Sequence, residues 1–150
     1  MNDEIYMEEA LNEAEKAYQE NEVPVGAVVV LNGKIIGRGH NRRESLLDIS
    51  SHAEIEAIKD ASKTLGSWKL DECTLYVTLE PCLMCSGAIL QSRVSRVVFG
   101  SKDPKDGGII SKYYVFDTPC DHERPLINGG VLEEKCSSLL KEFFEGKRKV

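Results

Sequence analysis

Long uncharged apolar runs are missing from this chain of 150 residues. A membrane-spanning helix needs about 20 predominantly apolar residues, so no span is expected, and the acidic start Met1-Asn2-Asp3-Glu4 is unlike the basic front of a secretory leader. Cysteine is sparse and odd in number, at Cys73, Cys82, Cys85, Cys120 and Cys136. That usage argues against a disulfide framework and fits a reducing, cytoplasmic compartment in which some thiols bind metal and others simply pack. Internal repeats and low-complexity linkers are absent as well. With 41% hydrophobic residues to build one core, the expectation is a single domain over residues 1–150.

An excess of basic charge is also lacking, since the net charge is −6. A nucleic-acid partner would ordinarily draw Lys and Arg to its phosphates. The acidity is local, however: residues 1–22 carry eight acids against Lys16 alone, a net of −7, which leaves +1 for the remainder. Bases gather at Arg42-Arg43, between Arg93 and Lys105, and at Lys147-Arg148-Lys149. Taken alone, each cluster equally fits a solvated face.

What is present is strong periodicity. Ile5, Ala10, Leu11, Ala14, Ala17 and Tyr18 recur at helical spacing over residues 3–20, and Pro24 lies beyond that helix. Residues 25–31 are β-branched and apolar, Asn32-Gly33 is a two-residue hairpin signal, and residues 34–39 form the return strand. Residues 40–51 read as turns. A second helix carries Ala53, Ile55, Ala57, Ile58, Ala61 and Leu65, with His52 at its N-terminus. Residues 74–79 read as a buried strand. Pro81 is suited to the first position of a helix whose opening turn would hold both Cys82 and Cys85. Residues 97–99 and 126–127 are short strands, residues 101–125 show no clean periodicity, and Leu132 to Phe144 define a last helix. This order predicts an α/β fold, a three-layer α/β/α sandwich whose mixed sheet of roughly five strands is antiparallel at the hairpin and parallel afterward. Ligands in such sheets collect at strand ends where helices begin, where both metal-binding segments fall.

His52-Ala53-Glu54 and Pro81-Cys82-Leu83-Met84-Cys85 carry the chemistry. An H-x-E followed by P-C-x-x-C is the zinc deaminase signature. Three ligands, His52, Cys82 and Cys85, leave one tetrahedral position for water, as in a catalytic rather than a structural zinc site. A helix N-terminus favours the thiolates. Glu54, two residues from His52, is placed to bond a water on one Zn2+ per chain and to shuttle protons.

Other accounts stand beside this one. Ser51-His52-Ala53-Glu54 also fits a capping box, in which Glu54 only satisfies backbone donors. A closed Cys3His site could recruit Cys73, Cys120 or Cys136, making the protein a structural-zinc interaction module rather than an enzyme. The joint motif favours catalysis, because each half opens a helix.

The chain resembles the bacterial tRNA-specific adenosine deaminases of the cytidine deaminase-like superfamily. Besides the zinc motifs, the resemblance rests on residues 23–28, His40-Asn41-Arg42, residues 74–81, Ser92-Arg93, residues 97–100 with Asp103, and residues 133–144. It implies hydrolysis of the wobble adenosine of a tRNA anticodon stem-loop to inosine, with release of ammonia, by a homodimer. His52, Cys82 and Cys85 match the family's zinc ligands and Glu54 its proton donor. Asn41 matches a nucleoside contact and Asp103 a position near the anticodon sugar. Phe143, Phe144 and the basic tail with Arg148 match a helix that meets the anticodon loop, although core packing is the plain alternative for both aromatics and the favoured one for Phe143. Two stretches depart from the family pattern, Gly107-Gly108-Ile109-Ile110-Ser111 and Asp121-His122. An added carboxylate near phosphates is unfavourable, so these bear on substrate recognition more than on zinc chemistry. A deaminase of a free base or nucleoside, such as guanine or cytosine, shares the zinc motifs and is the alternative.

Overall fold

The computed structural model describes residues 2–148, with the side chains of residues 147 and 148 outside that description. Chain order is α1 (Asp3–Gln19), β1 (Gly26–Leu31), β2 (Lys34–His40), α2 (Arg43–Leu46), α3 (Ala53–Leu65), β3 (Thr74–Leu79), α4 (Leu83–Ser92), β4 (Arg96–Ser101), a 3-10 turn (Val115–Asp117), β5 (Leu126–Asn128) and α5 (Glu133–Arg148). The five strands form one sheet in the order β2-β1-β3-β4-β5. β1 is antiparallel to β2 and β3, whereas β3-β4 and β4-β5 are parallel, so the mixed α/β architecture is as expected. Asn32 and Gly33 both have positive φ, the geometry a tight two-residue hairpin requires. Among the described residues no helix is long and apolar enough to cross a membrane.

Alternation along the strands assigns the layers. Val28, Val30, Tyr76 and Val98 face α1 and α5 through Met7, Ala10, Leu11 and Cys136. Val29, Leu75, Val77, Val97 and Phe99 face the opposite way, where Ala53, Ala57 and Ala61 of α3 and Ile89 of α4 complete the second half of the core. α3 lies very close to β2. A Cβ at Gly39 would stand 2.5 Å from the Ala53 carbonyl oxygen, and one at Gly37 would stand 2.4 Å from that of Ala57. Small residues on both partners therefore set the height of α3 above the sheet, and with it the positions of His52 and Glu54 at its first turn.

Two segments read as turns or irregular chain are ordered by buried acids. Glu22 accepts from the Glu44 N–H (3.1 Å), the Ser45 N–H (2.5 Å) and the Ser45 hydroxyl (2.6 Å), which fixes the short helix α2. Periodicity could not show a four-residue helix held from outside.

The N-terminal helix is tied to the sheet by an ion pair. Arg96 donates to both Asp3 oxygens, at 2.9 and 2.6 Å, and the Tyr76 hydroxyl donates to Asp3 at 2.7 Å. The Arg96 hydrogen bond, against the opposing effect of burial, lowers the Asp3 carboxyl from 3.8 to about 2. A carboxylate with a depressed native pKa stabilises the fold above its unfolded pKa, and loses that contribution as pH falls through the native value. Asp3→Asn should therefore lower the melting temperature at neutral pH, and the gap to wild type should close as pH falls from about 4 toward about 2. Thermal scans across that range check it; a gap that stays constant on acidification contradicts the pairing.

Candidate active site

A cleft of about 650 Å³ opens where the carboxyl ends of β3 and β4 meet the starts of α3 and α4. His52 is the N-cap of α3 and Cys82 the N-cap of α4, both with extended backbone, and Cys85 follows in the first turn of α4. Pro81 thus precedes the helix instead of opening it. Cys82 is held extended by a backbone bridge to Gly107.

His52, Cys82 and Cys85 present ligand atoms that all lie within 4.8 Å of one another. The His52 Nδ1 stands 3.7 Å from the Cys82 Sγ and 3.4 Å from the Cys85 Sγ. Zinc bonds of about 2.3 Å to sulfur and about 2.0 Å to nitrogen, at a tetrahedral angle, separate such atoms by about 3.5 Å. The donor set and its spacing therefore fit zinc. Cys73, Cys120 and Cys136 are not part of this cluster, so among the described residues no fourth cysteine closes the site.

Electrostatics support the same reading. A hydrogen bond from the Cys85 thiol, with help from His52, lowers Cys82 to about 4. Cys85 is pushed upward, first by that bond to Cys82 and then by burial. The His52 imidazole is raised, chiefly by its hydrogen bond to Cys82. Glu54 is only 4% exposed, and burial pushes its carboxyl up to about 7. The capping box is not formed: His52 rather than Ser51 is the N-cap, and it makes no side-chain cap.

The remaining sequence-predicted residues divide. Asn41, nearly buried, lines the cleft; its amide donates to the Val23 carbonyl (3.2 Å), and its oxygen accepts from the Arg43 N–H (3.1 Å). Asp103 lines the cleft too, while its Oδ1 accepts from the N–H groups of Lys105 and Asp106, at 3.2 Å each. Phe144 is half exposed at the cleft, whereas Phe143 is buried edge-on against Tyr18, with ring centroids 5.6 Å apart. The Arg148 side chain lies outside the described residues. Arg43, Lys102 and Lys105 also line the cleft, interspersed with Asp103 and Asp106.

Glu80 was missed. It is 1% exposed, and its carboxylate accepts hydrogen bonds from residues 103–111 across the cleft wall. Burial alone would raise it, but the Ser111 hydroxyl and the N–H groups of Ile110, Asp103 and Ser111 outweigh burial and hold its carboxyl below the usual range. The legible signal was an acid directly after the apolar strand of residues 74–79.

A family model described as MafB19-like deaminase matches residues 1–148. The tRNA-specific adenosine deaminase of Bacillus subtilis (strain 168) is 48% identical over 147 residues, which cover 98% of this chain and 91% of the relative. The enzyme of the same name from Aquifex aeolicus (strain VF5) is 45% identical over 148 residues, covering 99% and 97%. A solved structure from work on A-to-I editing by tRNA:A34 deaminases at the wobble position of transfer RNA superposes with a TM-score of 0.86 at 42% identity. That match covers 89% of this chain and 97% of the other.

Metal uptake tests the cluster. Chelator-treated protein should take up one zinc per chain at neutral pH and release at least about one proton, because the Cys85 thiol must ionise to bind. Cys85→Ser should weaken uptake by more than about 100-fold, the upper range for merely outer-shell changes. Metal analysis with a pH indicator reads both; zinc binding of unchanged strength in the serine variant contradicts the assignment.

Proposed function

This chain belongs to the tRNA-specific adenosine deaminase family, and on that premise we propose that it hydrolyses the wobble adenosine of a tRNA anticodon to inosine with release of ammonia. The observation that carries the reading is the convergence of His52, Cys82 and Cys85 beside buried Glu54 in a cleft bordered by bases. We read residues 1–150 as one deaminase domain, acting in the cytoplasm, where its cysteines stay reduced.

His52, Cys82 and Cys85 would hold zinc, which when bound can bring the pKa of water from 15.7 to roughly 7. Glu54 supplies the proton transfers. As water adds to the ring carbon bearing the amine, Glu54 takes a proton from it and delivers one to the adjacent ring nitrogen. It then takes the remaining proton from the newly added hydroxyl and passes it to the departing amine, which leaves as ammonia. Burial suits the group to this exchange, since a carboxyl raised to about 7 both takes and gives protons near neutrality.

Asn41, clamped by the Val23 carbonyl and the Arg43 N–H, keeps a second amide hydrogen with which to bond the nucleoside. Asp103 would meet the sugar, Phe144 would stack on a base, and Arg43, Lys102 and Lys105 would contact phosphate. Turnover tests both chemistry and substrate. Glu54→Gln should keep zinc and fold while losing roughly 10²- to 10⁴-fold in rate. Wild type should release ammonia from an anticodon stem-loop with adenosine at the wobble position; activity on guanine, cytosine or free nucleosides in place of the stem-loop would select the small-molecule alternative.

A homodimer is part of the same proposal. Exposed apolar side chains flank the ligand segments, with Leu47 and Ile49 before His52, Leu83 and Met84 beside Cys82, and Tyr113 and Tyr114 after the cleft wall. Burying such surface against a second copy is the expected use. Sedimentation equilibrium should return twice the 16.7 kDa chain mass. A monomer at all concentrations overturns this assembly.

A further inference from the structure

Between the metal cluster and residues 103–111 stands one buried carboxylate that the proposed chemistry does not use. The Oε1 of Glu80 accepts from the Asp103 N–H at 3.1 Å and from the Ser111 hydroxyl. Its Oε2 accepts from the N–H groups of Ile109 (3.2 Å), Ile110 (2.8 Å) and Ser111 (3.0 Å). A carboxylate has about four lone-pair positions, so five donors leave it saturated. It has no acceptor capacity left for substrate or for a travelling proton, which separates it from Glu54.

The donors it gathers belong to the far wall of the cleft. Asp103 and Lys105 line the cavity from this segment, and its glycines are pressed inward. Gly108 donates to the Pro81 carbonyl at 2.7 Å, and Gly107 bridges to Cys82. A Cβ at Gly108 would lie 2.4 Å from the Ser86 Oγ and 2.8 Å from the Cys82 carbonyl oxygen. A Cβ at Gly107 would lie 2.5 Å from the Glu80 carboxylate itself. The wall therefore touches the ligand segment on one side and substrate space on the other, with Glu80 between them.

We propose that Glu80 is a positioning residue: its carboxylate folds residues 103–111 into the substrate-binding wall and seats that wall on the Cys82 segment. The role rests on the reading of the cleft as the substrate site, while the templating of the wall stands on geometry alone. Glu80 acts through Asp103 and Lys105, so its removal should weaken substrate binding more than it slows the chemical step.

Two measurements test this separately. In wild type the amides of Ile109, Ile110 and Ser111 should resist hydrogen exchange, and Glu80→Gln should speed their exchange at least about tenfold while β3 stays protected. The substituted amide nitrogen would face backbone donors and leave at least one unsatisfied. On the stem-loop, Glu80→Gln should raise KM about tenfold or more, with kcat per bound zinc changed less than about threefold. Ser111→Ala removes one of the five bonds and should move KM the same way, by about two- to threefold. Unchanged protection at residues 109–111 in the zinc-loaded Gln variant overturns the templating. A fall in melting temperature or kcat with KM unmoved overturns the positioning role, leaving a structural or proton-transfer one. If wild type turns over guanine and not the stem-loop, the tRNA reading fails, and the exchange result still decides whether Glu80 shapes the wall.

Discussion

The constraint on which the site depends is the convergence of two helix N-termini on one point. His52 and Cys82 are both N-caps with extended backbone, so each side chain stands where its helix presents unpaired N–H groups and positive dipole. An imidazole and two sulfur atoms are thereby gathered before any metal arrives. The thiolate at Cys82 is held by the Cys85 thiol and by His52, within a field already favourable to anions. Glu54 sits in the first turn of α3, and there desolvation outweighs those attractions and raises it. Two acidic groups of one site are thus driven in opposite directions by burial and hydrogen bonding.

Convergence requires that α3 be low on the sheet, and the glycines of β2 with the alanines of α3 achieve that without large side chains between them. The rims of the cleft need separate support, since α2 buries no residue and the segment after β4 sends only Ile109 and Phe116 into the core. Both are held by buried carboxylates that accept backbone N–H groups, Glu22 for α2 and Glu80 for residues 103–111. Each charge is almost fully withdrawn from water, and the hydrogen bonds it accepts offset that cost.

Much of this was legible in the sequence, for physical reasons that differ by element. Asn32-Gly33 announces its turn because few other residues take positive φ at two successive positions. Val28 and Val29 read as strand because apolar side chains on alternate faces fill both halves of the core. The His52, Cys82 and Cys85 set was readable because metal chemistry restricts which residues can serve. The start of α4 was misplaced by two positions, because a tertiary bridge from Gly107 keeps Cys82 extended where local preference would make Pro81 helical. The capping reading of Glu54 failed because the helix starts one residue later than a Ser51 cap requires, with His52 as the extended N-cap. Residues 103–111 stayed opaque because much of their order comes from hydrogen bonds to one distant carboxylate, and hydrophobic spacing carries no record of such bonds.

That last feature changes how divergence in the loop is weighed. Glu80 takes main-chain hydrogens from positions 109 and 110, and every amino acid except proline supplies one. Side chains at these positions can drift without altering the frame, within limits set by Ile109, which must stay apolar because it is buried, and by Gly107 and Gly108, which have no room for a methyl group. The Gly107-Gly108-Ile109-Ile110-Ser111 stretch is thus a change of covering over a scaffold of amides that does not depend on it. Proline at 109 or 110 is the substitution this wall is least able to absorb.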